Sequence, residues 1–205
     1  MTSSKFFSIV SIVFHPIVLP TAATLFVFIV QPNTLSSHFK LNILGLVAVF
    51  TYAIPILLLY VLKKTKRIHS YDLKEIHERK SPILTMLVLF YILATLFGEI
   101  VQLHSLATLF TGCSISLSLC YIAFAKNIKT SIHMIGAASA STFLLTFSHQ
   151  YQCNLLLPFA ISCFCGGLIS QARLRLEAHT IKEIIFGIVF GILGQLVAYS
   201  NVLIA

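Results

Sequence analysis

"SQARLRLEAHTIKEIIFG", Ser170 to Gly187, places two arginines, a histidine, a lysine and two glutamates between strongly apolar runs. Read as a connection, it makes its flanks, 155–171 and 184–204, two membrane-spanning helices. A hydrocarbon core about 30 Å thick needs roughly 17–25 apolar residues in a helix. Working outward from this stretch, the same criterion yields further candidates at 6–30, 41–62, 82–101, 105–125 and 131–148. These runs are continuously apolar and lack the two-residue alternation of a barrel. The expected fold is therefore all-α: a polytopic transmembrane helical bundle of six or seven spans, forming one integral membrane domain over residues 1–205. Composition agrees. The chain is 58% hydrophobic and 10% charged with a mean hydropathy of +0.95, where soluble domains carry about 25% charged residues.

The first run follows Lys5 as a secretory signal would, but it is too long for a signal core and contains "FHPIVLPT", so it reads as a retained span. Pro16 and Pro20 are expected to kink it, and Pro55 to kink the second span. His15 reads as a buried, hydrogen-bonded structural histidine. Cys113, Cys120, Cys163 and Cys165 lie in apolar runs and Cys153 in a polar loop. That spacing suggests neither a zinc site nor a disulfide framework.

Charge is distributed unevenly. If seven spans alternate, one face carries the N-terminus and the connections 63–81, 126–130 and 172–183, and with them every Lys and Arg except Lys40. The net charge of +8 thus lies at one membrane boundary, with no nucleic-acid module or base-stacking pattern. Membrane lipids with anionic headgroups are the expected partners, and no nucleic acid is. The positive-inside rule accounts for "KKTKR" at Lys63–Arg67 and puts this face in the cytoplasm, with residue 205 outside.

That rule does not account for the histidines. On the same face His133 opens the fifth span and His179 precedes the seventh. In a helix begun near Ala178, His179 and Glu183 share a face four residues apart, so the carboxylate can hold one ring nitrogen while the other points outward. This is the arrangement of an oriented histidine nucleophile. Attack on phosphorus would give a phosphohistidine, and a second histidine would protonate the departing oxygen and later activate water. Lys and Arg would neutralise the non-bridging oxygens.

These residues resemble the type 2 phosphatidic acid phosphatases, integral membrane lipid phosphatases with the signatures K-x6-R-P, P-S-G-H and S-R-x5-H-x3-D. The third signature is matched by Ala172-Arg173, His179 and Glu183, with alanine for serine and glutamate for aspartate. The second reads Thr130-Ser131-Ile132-His133. In the first, Lys74 and Pro82 keep the spacing while Ser81 stands in the arginine's place, and Arg79 or Lys80 is the expected substitute. The resemblance covers residues 70–200.

The resemblance implies a lipid phosphate or prenyl diphosphate as substrate, approached laterally from the bilayer. It further implies His179 as nucleophile, Glu183 as its orienting carboxylate, and His133 as general acid and base. Lys74, Arg173 and Ser131 are the implied phosphate ligands, joined by Arg79 or Lys80. No metal or other cofactor is implied. The expected location is the bacterial cytoplasmic (inner) membrane, where members of this family commonly work on the outer side, opposite to the side that "KKTKR" favours. The alternative is a catalytically degenerate lipid-headgroup-binding or transport protein, in which the basic collar simply holds anionic headgroups. Arg175, Glu177 and Lys182 read as solvated collar, and Glu99 as hydrogen-bonded near Gln102 and His104. Gly187 and Gly191 read as a close-packing pair inside the bundle.

Overall fold

The computed structural model describes residues 3–31, 35–71, 73 and 75–204, and among these the backbone is helical with short connections and no strand. Helices α1 (Ser3–Val13) and α2 (Val18–Val30) meet at a 54° bend. Pro16 is the cause. It has no N–H, and its ring crowds the carbonyl four residues back. The His15 N–H turns to the Ile12 carbonyl at 3.2 Å, and the Val18 N–H takes the His15 carbonyl at 2.8 Å as a new helix begins. Pro20 produces no second break, because it lies in the first turn of α2, where backbone N–H groups lack helical partners anyway. At Pro55 the span is not broken. Helix α3 (Ser37–Ala48) widens into a π turn (Val49–Ala53) and continues as α4 (Ile54–Lys64), so the missing donor is absorbed within one 28-residue span.

Helices α5 (Ile76–Gly98), α6 (His104–Ala125), α7 (Ile132–Gln150), α8 (Leu156–Arg175) and α9 (Ile181–Ile204) follow. Five stretches among the described residues are long and apolar enough to cross a bilayer: Ser37–Lys64, Ile76–Gly98, Val101–Ala125, Leu156–Arg175 and Ile181–Asn201. The bent pair Lys5–Val13 and Val18–Val30 makes a sixth if it counts as one span. The surface suits lipid. Leu156, Leu157 and Phe164 of α8 are about 70% exposed, as an apolar solvent permits and water does not.

The run at 131–148, expected to be a span of the same kind, is different. Helix α7 carries Ser139, Ser141, Thr142, Thr146 and Ser148, and it falls short of the apolarity of the other spans. It lies inside the bundle against α6, α8 and α9, where its hydroxyls find partners. Ser139 Oγ donates to the Gly191 carbonyl at 3.4 Å, and Ser141 Oγ pairs with Ser162 Oγ at 2.8 Å.

Glycine sets the α7–α9 spacing. A Cβ on Gly187 would lie 2.6 Å from the Ser131 carbonyl oxygen, and one on Gly191 would lie 2.6 Å from that of Ile135. The pair therefore packs within the bundle, as expected. Polar contacts then identify the two ends of the bundle. At one, Ser105 Oγ at the start of α6 donates to Gln31 Oε1 after α2 (3.0 Å), and His149 at the end of α7 pairs with Tyr199 of α9 (2.6 Å). At the other, the Ser131 N–H donates to the Glu183 carbonyl at 3.1 Å, joining the starts of α7 and α9.

Candidate active site

The second end holds Arg79, Arg173, His15, His133 and His179. His179 sits in the turn between α8 and α9, two residues ahead of the helix and not inside it. Thr180 begins that helix by accepting the Glu183 N–H on its Oγ1 (3.4 Å) and the Ile184 N–H on its carbonyl (3.1 Å). The sequence Thr-x-x-Glu is that of a capping box, but the Glu183 side chain turns away from the cap to His179. Its Oε2 lies 2.6 Å from Nδ1 of the imidazole. The expected pair is thus present although the helix starts later than expected.

His179 is 7% exposed. Burial lowers its pKa to about 4, the charges of Arg79 and Arg173 push the same way, and the bond to Glu183 opposes them. The ring is therefore neutral at physiological pH. The carboxylate accepts the proton carried on Nδ1, and Nε2 keeps its lone pair.

His133, in the first turn of α7, is also buried. Its Nε2 lies 3.2 Å from the carbonyl oxygen of Ser11 in α1, and its ring stands edge to face against His15 with centroids 5.2 Å apart. Arg173, near the end of α8, donates from Nη1 to Ser11 Oγ at 2.8 Å. Arg79, in the first turns of α5, donates from Nε to the Leu73 carbonyl (2.6 Å) and from Nη1 to the Thr130 carbonyl (3.4 Å). Its neighbour Glu78 is buried and accepts from the His69 backbone N–H (2.6 Å) while pairing with His69 Nδ1 (2.9 Å), which ties the preceding loop to α5.

His15, Arg79, His133, Arg173 and His179 line one cavity of about 230 Å³. The rest of its wall is largely apolar and runs into the bundle along Leu19, Leu58, Ile83, Phe90, Leu109 and Leu117. One end of the cavity thus gathers two guanidinium groups and three imidazoles, and the other suits a hydrocarbon chain.

The helical register of α5 decides which of Arg79, Lys80 and Ser81 reaches the cavity. Arg79, Pro82, Ile83, Met86 and Phe90 all reach the cavity, as residues three, four and seven apart on one helix face do. Lys80 and Ser81 are exposed and do not line it. Their place beside Pro82 reads as a connection only if the span starts at 82, and the helix starts at Ile76. Ser131 is also off the wall. It is fully buried at the N-cap of α7 with no hydrogen-bond partner for Oγ among the described residues, and its backbone binds Glu183. Lys74 lies outside the described residues. Arg175, Glu177 and Lys182 are exposed, as a collar should be. At the far end His104 turns to the carbonyl of Gly98 at 2.9 Å.

Sequence reasoning missed the contribution of the first helix pair. His15 was expected to be structural and reaches the cavity wall, and Ser11 was not singled out at all. The one available signal was Pro16, which marks the break that brings both to the site.

Comparison of the chain with models of protein families, with curated proteins and with solved structures finds no match.

Proposed function

We propose that the protein is a membrane phosphatase that hydrolyses a lipid phosphate or prenyl diphosphate through a phosphohistidine intermediate, as the resemblance to the type 2 phosphatidic acid phosphatases implies. The observation that carries this reading is the convergence of His179, His133, Arg79 and Arg173, from four separate elements, on the polar end of one apolar cavity. Headgroup binding alone has use for the two arginines. It has none for a neutral imidazole whose Nδ1 is held by a carboxylate at 2.6 Å.

The chemistry follows from these groups. The substrate phosphoryl group sits between Arg79 and Arg173, whose charges offset the negative charge on its non-bridging oxygens. Nε2 of His179 attacks phosphorus, the bond to the lipid oxygen breaks, and Glu183 stabilises the imidazolium that forms. His133, which takes up a proton from solvent as the phosphate dianion binds, gives that proton to the leaving oxygen. Neutral His133 then takes a proton from water as the water attacks the phosphohistidine, releasing phosphate and restoring both rings. The apolar wall holds the chain of the leaving lipid alcohol.

The test is phosphate release by the purified protein from a panel of lipid phosphates and prenyl diphosphates, with quenched reactions probed for acid-labile phosphohistidine. Turnover and label on His179, both absent in His179→Ala, are expected. Tight binding of the same lipids without turnover or label would establish the headgroup-binding alternative and reject the enzyme.

The positive-inside distribution, with "KKTKR" at the end of α4 and outside the site, supports a cytoplasmic position for this end of the bundle.

A further inference from the structure

Helix α1 reaches two site residues without itself lining the cavity. Ser11 is 8% exposed and absent from the wall, whereas its partners His133 and Arg173 are on it. It therefore holds both from behind, as Glu183, also absent from the wall, holds His179.

The backbone explains how Ser11 is able to do so. In an unbroken helix its carbonyl would accept the N–H of His15, four residues on. Pro16 cannot claim the Ile12 carbonyl, so the His15 N–H takes that carbonyl at 3.2 Å. The carbonyl of Ser11 is thereby left to a group outside the helix, and Nε2 of His133 lies 3.2 Å away. A carbonyl only accepts, so Nε2 must carry the proton. In the neutral ring, Nδ1 is then the nitrogen with the lone pair.

We infer that Ser11 is a positioning residue of the site: its carbonyl fixes His133 as the Nε2–H tautomer, making Nδ1 the working nitrogen, and its hydroxyl sets the guanidinium of Arg173. This rests on the reading of His133 and Arg173 as site groups. It assigns to the bend between α1 and α2 a part that lies outside residues 70–200. His15 reinforces the arrangement. Its own Nδ1 accepts the Ile17 N–H at 3.3 Å, which leaves its proton on Nε2 and its ring fixed against His133.

The tautomer can be measured without catalysis. In full-length protein in lipid nanodiscs with ¹⁵N-labelled histidine, the His133 ring, assigned by its loss in His133→Gln, should show protonated Nε2 and unprotonated Nδ1 at neutral pH. In Pro16→Ala, where the helix can close and the His15 N–H can reclaim Ser11, that ring should shift towards a tautomer mixture. An Nδ1–H ring in the wild type, or the same tautomer in Pro16→Ala, would overturn the inference whether or not the protein is an enzyme.

The hydroxyl is tested with inorganic phosphate. Ser11→Ala should weaken its binding roughly tenfold, the scale of one hydrogen bond to a charged group, and Ser11→Thr should restore it to within about twofold. Equal loss in both variants would overturn the role of the hydroxyl. If the wild type fails to bind phosphate, the role of the hydroxyl and the proposed function fall together, while the tautomer still decides the role of the carbonyl.

Discussion

Two of the imidazoles facing the cavity, His179 and His133, are held in different ways. His179 is held by a carboxylate four residues away, across the start of the helix it precedes. His133 is held by a backbone carbonyl 122 residues away in the chain, on a helix that ends at a proline break where the His15 N–H turns to Ile12. A carboxylate stabilises positive charge on its ring and suits a group that must become cationic when it attacks phosphorus. A neutral carbonyl orients a ring while favouring its charged form far less, which suits a group that must both give and take a proton. The two settings thus suit the two proposed roles by charge as well as by position.

Removing one ring should separate those roles. His133→Ala should lower steady-state turnover by roughly 10²-fold or more, the scale of general acid–base catalysis, while labelled phosphohistidine still forms on His179 and persists. Rapid quenching reads both quantities. Turnover near that of the wild type would assign the proton transfers to another group, and His15 would be the next to test.

Glu183→Gln should have a smaller effect and sharpen the contrast of charge. The amide can orient the ring but cannot neutralise the imidazolium, so phosphohistidine formation should slow by roughly 10–100-fold, as expected for a charge-assisted bond. The pH dependence has a definite sign. Attack requires neutral His179, whose pKa burial holds at about 4, so formation should stay flat from pH 7 to about pH 5, where an ordinary imidazole of pKa about 6.5 would already be mostly protonated. Glu183 raises the pKa of His179, so its replacement by glutamine should move the acid limb to lower pH. An acid limb near pH 6.5 would mean that water reaches the ring.

The smallest effects are expected at the neighbours of Arg79. Lys80→Ala and Ser81→Arg should each change turnover less than about twofold, because both positions lie on the exposed side of α5 and surface changes away from a site are usually near neutral. A large gain in Ser81→Arg would mean that α5 is rotated in the working protein.

The parts legible in the sequence were those governed by local spacing. Apolar run lengths indicated the helices, and the four-residue interval from His179 to Glu183 indicated their pairing, even though the helix begins later than expected. Gly187 and Gly191 were legible because close packing tolerates no larger residue there. What remained hidden depends on distant contact or on helical phase. The choice of Arg79 over Ser81 turns on where α5 starts, and without that origin the cavity-facing residues cannot be separated from the exposed ones. Ser11 carries no signal of its own, since its role lies in a carbonyl that every residue has. The polarity of α7 was visible, but only the packed bundle shows that neighbouring helices screen it from lipid.

That polarity bears on how the protein is made. A segment as rich in hydroxyls as α7 gains little by moving alone from the translocon into lipid, where insertion follows summed apolarity. It has to enter beside helices that accept its hydroxyl groups, and the glycines receiving it belong to α9, the last helix described. His133 is carried on that segment. The two histidines therefore come together only after α9 has been synthesised, and no assembled site exists before that helix enters the bilayer.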